Sequence, residues 1–430
     1  IVTAMRAEGV VVLKGALGGD AADKLRSHVE TTLEEAARLA ELSPAEEAAR
    51  FGTVLSRHRR HDLTLSLGEA PVRRARRSLP PLPAAAEDKS TLVLFYQYIA
   101  PPWDAQQPKA ALKSVLALAA EHSICGRGRC APEGLNRSLT GGARAVRAFC
   151  LGLRAWNPVF EDCDFKLTDG IGQNLAFRAL TIRKTAELVG YGLPATTAPA
   201  LATSRAEHVE ADQYHELMKE KDTVIIDVRN HYEAAIGHFA PPGDGAEFID
   251  PKLRNSHEFP KWLNAPETKA KLHNKKVMMY CTGGIRCERA SALLDSIERA
   301  ESGGGATAEE GAGAGEEAEG FRTKGVVMVR GGIERYLRTF PQGGFWRGKN
   351  YLFDRRFEQS PEEKPSAALE AEVDSRCVAC GVAWDRYRGQ FKCGGTLAEH
   401  GACAVPVLVC DACIRADLHG KPRATLRCPL

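Results

Sequence analysis

Hydrophobic and polar positions along the chain fall into blocks of different period, and each block predicts its own elements. From Thr91, the run Leu92-Val93-Leu94-Phe95-Tyr96-Gln97-Tyr98 has the length and apolar density of a buried strand. Helical spacing follows from about Pro108 to His122. Then come a short strand near Gly126, a strand-like loop over 132–139, a second helix from about Ala143 to Leu153, and a closing strand from Leu175 to Ile182. That order predicts a split βαβ, ferredoxin-like α+β domain over residues 91–195.

A linker rich in Ala, Thr and Pro, Leu193 to Thr203, precedes a second block. Gln213 to Glu220 has the spacing of a short helix, and Thr223-Val224-Ile225-Ile226-Asp227 is apolar on both faces. Lys276–Tyr280 and Gly325–Val329 repeat that all-apolar character, which marks strands of a parallel sheet covered by helices on both sides. This α/β domain is predicted over 204–345. Inside it, 301–320 is Gly, Ala and Glu apart from Ser302 and Thr307, a composition that cannot offset ordering entropy and predicts a disordered insertion.

The ends have weaker periodicity. Residues 1–90 carry a strand-like run, Gly9 to Leu13, a helical stretch from about Ala21 to Leu42, and a Pro-rich linker, Ser78 to Ala86. They read as an appended segment of unassigned role. Residues 346–430 begin with aromatics interleaved with cations, Phe345 to Arg356, a mix suited either to RNA or to packing as a strand. They continue into a Cys-rich module.

Composition changes this picture in three ways. A chain of 430 residues with net charge +3 is long enough for about three domains and too nearly neutral to announce a nucleic-acid binder globally. Arg57, Arg59, Arg60, Arg73, Arg74, Arg76 and Arg77 crowd the amino-terminal segment and read as a solvated basic stretch. No run of ~18 apolar residues occurs, so no membrane span is expected. Seven of thirteen cysteines follow residue 376 and two share one loop, which favours thiolate and metal chemistry in a reducing, cytoplasmic compartment. The chain begins with Ile1, so an organellar leader is left open.

The chemistry concentrates at Cys281-Thr282-Gly283-Gly284-Ile285-Arg286-Cys287-Glu288, between the Lys276–Tyr280 strand and a helix. Lowering a thiol from ~8.5 to ~6.5 takes ~2.7 kcal/mol, and a helix dipole supplies only ~0.3 to 1 kcal/mol. The remainder must come from backbone N–H groups of Thr282, Gly283, Gly284 and Ile285 and from the Arg286 charge. Cys281 is therefore the predicted nucleophile in an anion cradle, with Cys287 a candidate resolving thiol. Phosphatases with a cysteine nucleophile space it Cys-x5-Arg. Here the spacing is Cys-x4-Arg, which suits a single sulfur atom better than a phosphate.

This loop resembles that of one branch of the rhodanese superfamily, which holds the tRNA wobble-uridine hydroxylases and eukaryotic rhodanese-domain-containing proteins. Asp227-Val228-Arg229 with Gly237-His238-Phe239, the Arg330-Gly331-Gly332-Ile333 turn and Glu133-Gly134-Leu135-Asn136 extend the resemblance over about residues 91–425. It implies oxygen-dependent hydroxylation at carbon 5 of wobble uridine, with tRNA as partner. Asp227 and Arg229, counted with Arg286 among the catalytic candidates, can form an ion pair beside it that either contacts substrate or fixes the loop after the strand, and His238 reads as a packed structural histidine. The cradle by itself supports a second activity, persulfide-forming sulfur transfer from a small donor such as thiosulfate. A third reading is a non-enzymatic scaffold. No flavin or nicotinamide site is apparent.

Cys377-x2-Cys380 and Cys410-x2-Cys413, separated by 29 residues, have the spacing of one tetrahedral structural zinc site. Cys393 and Cys403 either replace two of these ligands or join His400 and Cys428 in a second site.

Overall fold

The computed structural model describes residues 3–5, 10–12, 79–83, 89–104, 106–193, 197–302, 320–352, 358–387, 390–397 and 401–430. Contacts divide the chain into residues 1–78 and 79–430. In the first unit Thr3–Met5 pairs antiparallel with Val10–Val12. The expected helix over 21–42, the arginine-rich stretch, most of the 301–320 insertion, the 353–356 cations and His400 lie outside the described residues.

The second unit opens with β1 (Ser90–Tyr98), α1 (Gln107–Glu121), β2 (Cys125–Ala131), β3 (Gly134–Gly142), α2 (Ala143–Trp156), β4 (Lys166–Ile171) and β5 (Leu180–Lys184). The sheet runs β4-β1-β3-β2-β5, so its first four strands have the ferredoxin-like order, and β5 adds in parallel beside β2. Val93 and Phe95 pack with Leu135, Leu139, Val115 and Phe149 under the helices. The alternate residues Tyr96 and Tyr98 face the next domain.

In this domain the strand-like loop over 132–139 is, from Gly134 onward, a full strand, the central β3, and β4 occupies residues to which the pattern assigned no element. Arg137 hides β3: it sits between Leu135 and Leu139, 1% exposed, and breaks the apolar alternation. Its guanidinium donates to the carbonyls of Arg129 and Asn136 in space that a side chain at Gly128 would fill. The closing strand is 180–184 and not 175–182, because Gln173–Leu175 form a 3-10 turn first.

The α/β domain contains β6 (Glu207–Val209), α3 (Ala211–Leu217), β7 (Thr223–Asp227), α4 (His231–Ala234), β8 (Gly237–Phe239) and β9 (Glu247–Ile249). It continues with α5 (Phe259–Leu263), α6 (Pro266–Leu272), β10 (Lys276–Tyr280), α7 (Ile285–Glu301), β11 (Gly325–Val329) and α8 (Gly332–Thr339). Five parallel strands lie in the order β9-β7-β10-β11-β6. Val224, Ile226, Val277 and Met279 pack on one face, and Ile225, Met278 and Tyr280 on the other. Burial on both faces explains why these strands read as unbroken apolar runs.

The chain then returns as β12 (Trp346–Gly348), antiparallel to β8. Trp346, Tyr351 and Leu352 are buried, so the described part of the aromatic-basic stretch is packed against the domain. The Cys-rich module folds over Tyr232, Ile236, Tyr351, Tyr387, Val407 and Leu418.

Candidate active site

Cys281 is the first residue after β10, the middle strand of the parallel sheet, and is 1% exposed. The loop turns sharply at Gly284, whose φ of 99° is the left-handed region, and enters α7 at Ile285. The Gly284 amide donates to the Cys281 sulfur at 3.1 Å. A second glycine turn closes on the loop from β11: Ile333 N–H donates to the Cys281 carbonyl at 3.1 Å and Glu334 N–H to that of Thr282 at 3.2 Å. A Cβ at Gly332 would stand 2.6 Å from both carbonyl oxygens, so only glycine permits this approach. Thr282 is held through its hydroxyl to the Tyr351 carbonyl at 3.2 Å.

Burial alone would push the Cys281 thiol up. A hydrogen bond from Cys287, the Arg286 charge and the amides of Arg286 and Gly283 outweigh it and bring it down to about 5. Cys287 moves the opposite way: burial and its role as donor to Cys281 hold its thiol well above the ordinary range. The two cysteines thus share one proton, with the thiolate on Cys281.

Arg286 is anchored from below by Glu233, a bidentate pair at 2.7 and 2.8 Å with both side chains buried. Glu233 lies in α4, within a capping box on Asn230. Asp227 and Arg229 pair at 2.8 and 2.6 Å, both 0% exposed. Arg229 also donates to the Gly237 carbonyl and lies over the rings of Tyr280 and Trp346. Asp227 accepts from the Tyr280 hydroxyl at 2.8 Å. This pair is a buried brace at the end of β7, and Arg286 pairs with Glu233 instead. His238 stacks on Phe248 and touches the Ala234 carbonyl, as a packed histidine does.

The amino-terminal sheet forms the opposite wall. A cleft of about 60 Å³ is bounded by the Cys281 loop and by Leu94, Tyr96, Asn136, Lys166 and Leu352. Tyr96 donates to Glu288 at 2.9 Å, and Glu288 also meets His208 Nε2 at 2.9 Å, so a hydrogen-bonded path runs from the cleft wall to a partly exposed histidine. Tyr98 and Tyr191 donate to the carbonyls of Ile285 and Arg286 at 3.3 Å each. Arg289 pairs with buried Glu133 across the domains.

Three matched regions follow this architecture: a UPF0176 acylphosphatase-like domain over 90–188, a rhodanese-like domain over 210–339 and a rhodanase C-terminal region over 347–428. A protein of Enterococcus faecalis named tRNA uridine(34) hydroxylase is 32% identical over 269 residues, covering 62% of this chain and 72% of its own. One of Synechococcus sp., with the same name, is 31% identical over 306 residues, covering 70% and 81%. The chain belongs to the tRNA uridine(34) hydroxylase family. Rhodanese-like domain-containing protein 6 of Arabidopsis thaliana is 29% identical over 348 residues, which is 77% of this chain but only about half, 52%, of that longer protein.

Sequence reasoning did not find several residues that this family member gathers at the loop: Glu233, Tyr96, Tyr191, His208 and Glu288. Glu233 carried a signal, an acid three residues after Asn230 in capping-box spacing. Tyr96 carried a weaker one, a polar ring on the strand face away from the helices.

In the carboxy-terminal module Cys377, Cys380, Cys410 and Cys413 have their sulfurs within 4.8 Å of one another. The Cys380 and Cys410 sulfurs are 3.7 Å apart, against about 3.8 Å for the edge of a tetrahedron with 2.3 Å zinc–sulfur bonds. The four residues fit one tetrahedral ion. Cys393 and Cys403 do not replace any of them and gather instead with Cys428. Among the described residues no helix is long and apolar enough to cross a membrane.

Proposed function

We propose that this chain hydroxylates carbon 5 of the wobble uridine in tRNA, with Cys281 as the nucleophilic thiolate. The reading is carried by one juxtaposition: a thiol lowered to about 5 faces a cleft whose far wall belongs to the amino-terminal domain. Relatives 32% and 31% identical to this chain are named tRNA uridine(34) hydroxylase. In this proposal Cys281 adds to carbon 6 of the pyrimidine. The sulfur–carbon bond forms as the carbon 5–carbon 6 π pair moves onto the carbonyl oxygen at carbon 4. Carbon 5 then takes a hydroxyl from a hydroperoxide-level donor, formed from dioxygen by a two-electron cellular reductant, whose second oxygen leaves as water; loss of the carbon 5 proton expels the Cys281 thiolate and restores the carbon 5–carbon 6 double bond.

Thr282, Gly283, Gly284 and Ile285 form the cradle, Arg286 holds the thiolate charge, and Cys287 donates to it and serves as resolving thiol. Asp227 and Arg229 position the loop. The domain over 91–195 presents tRNA to the one over 204–345. Zinc on Cys377, Cys380, Cys410 and Cys413 fixes the module over 346–430 and contributes folding free energy. The reaction belongs to the reducing cytoplasm.

Sulfur transfer from a small sulfane donor is the second reading, and the cleft size favours it. About 60 Å³ is far below the ~300 Å³ of an ordinary ligand pocket, so a nucleoside enters only if the walls part, whereas a small donor needs less room.

The test is mass spectrometry of tRNA nucleosides from cells lacking the protein, complemented with wild type or Cys281→Ser. Wild type is expected to restore 5-hydroxyuridine-type nucleosides and the variant to leave them absent. Nucleosides unchanged by loss of the protein would sink the hydroxylase reading. Thiocyanate formation from thiosulfate and cyanide by the purified chain would then favour sulfur transfer.

A further inference from the structure

Cys393, Cys403 and Cys428 lie far apart in sequence, and backbone pairing draws them together. Cys393 N–H donates to the Val405 carbonyl at 2.7 Å and Cys403 N–H to that of Gly395 at 2.8 Å. Gly394 N–H donates to the Leu426 carbonyl at 2.8 Å, which lays the tail across the Cys393 loop. A Cβ at Gly394 would stand 2.1 Å from the Ala424 carbonyl oxygen, so the glycine is what allows the tail this close.

The three sulfurs fall within 4.8 Å of one another. Those of Cys403 and Cys428 are 3.7 Å apart, the same separation as Cys380 and Cys410 in the four-cysteine cluster and far from the ~2.05 Å of a disulfide. The distance matches the about 3.8 Å edge of a tetrahedral thiolate site. The Gly395 amide donates to the Cys393 sulfur at 3.4 Å, as the Cys410 amide does to Cys377 at 3.3 Å. Three thiols are an odd number, so disulfide pairing always leaves one over.

We infer that Cys393, Cys403 and Cys428 bind a second divalent, thiophilic metal ion of the zinc class, independent of the ion on the first four cysteines. Among the described residues no fourth donor joins the trio. A tetrahedral ion takes one ligand more than the trio itself supplies. Cys428 also borders a cavity of about 620 Å³ between the α/β domain and the Cys-rich module, beside His231, Tyr232, Asp250 and Arg427.

The experiment is metal analysis of the full chain prepared anaerobically with reductant and supplied with zinc alone. Wild type is expected to hold two zinc ions per chain, and Cys393→Ser, Cys403→Ser or Cys428→Ser one. Replacement by cobalt is expected to give thiolate charge-transfer absorption for seven sulfur bonds in wild type and about four in Cys428→Ser. One ion per wild-type chain, two retained by Cys428→Ser, or a Cys403–Cys428 disulfide in the anaerobic protein would each overturn the inference. Should a variant fail to fold, the wild-type count and the cobalt spectrum still decide. None of these readouts involves tRNA, so the outcome is separate from that of the proposed reaction.

Discussion

At Cys281 the charge is set by neighbours that oppose its burial, and Arg286 is the neighbour the sequence made visible. Its partner Glu233 is 53 residues away and buried with it. Removing one member of such a pair leaves an uncompensated buried charge, whereas neutralising both keeps the shape. Arg286→Gln alone is therefore expected to raise the pH midpoint of Cys281 alkylation above about 5 by more than the double variant Glu233→Gln with Arg286→Gln, which shifts it by up to about one unit. Midpoints measured by iodoacetamide kinetics that stay put in both variants would remove Arg286 from the account. The cysteine pair also sets a pH dependence. Unfolded, both thiols titrate near ~8.5; folded, Cys281 titrates near 5 and Cys287 well above its ordinary value. Between about 5 and 8.5 the unfolded chain binds more protons, so this pair's contribution to stability rises with pH. Above about 9 the folded chain keeps the Cys287 proton and the contribution falls. Denaturant titrations across pH are expected to show this maximum in wild type and its loss in the Cys281→Ser, Cys287→Ser double variant.

The elements that place the loop depend on two glycine turns with different demands. Gly332 has φ of 70° and no room for a Cβ, while Gly283 has nothing within 4 Å of where its Cβ would stand. Gly332→Ala is expected to destabilise by about 1–3 kcal/mol and to raise the Cys281 midpoint by displacing the loop carbonyls. Gly283→Ala is expected to change stability by less than about 0.5 kcal/mol. Equal effects of the two substitutions would contradict the packing of the second turn on the first. Legibility follows the same physics. β7, β10 and β11 are apolar on both faces and were readable from local composition alone. β3 was legible only as a strand-like loop, because Arg137 occupies a core position opposite Gly128. β4 was not, because Lys166 and Asp169 satisfy their charges through Asp164 and Arg147 rather than in solvent.

Across residues 79–430, the two sheets meet through contacts between residues far apart in the chain. Glu133 and Arg289, 156 residues apart, are both buried and joined, and Tyr96 reaches Glu288 over 192 residues. Arg289→Ala strands the Glu133 carboxylate and is expected to lower stability by about 3–5 kcal/mol. Differential scanning calorimetry is expected to show the transition moving down, with the ferredoxin-like and rhodanese-like parts beginning to melt separately. An unchanged transition would mean that this pair does not hold the domains together.

By itself the sequence determined what depends on neighbours within a turn or a strand: the buried parallel strands, the nucleophile on its glycine loop, and the two Cys-x2-Cys knuckles. Only the tertiary structure decided the partners. It joined Arg286 to Glu233, beside the Asp227–Arg229 pair that was already legible in the sequence. It put the thiolate on Cys281 and the proton on Cys287, turned the ferredoxin-like sheet into a wall of the cleft, and sorted seven cysteines into four and three. The physical reason is range. Backbone period and loop chemistry act over a few residues, whereas the burial and fixed charges that set ionisation and ligand sets come from segments that only folding brings together.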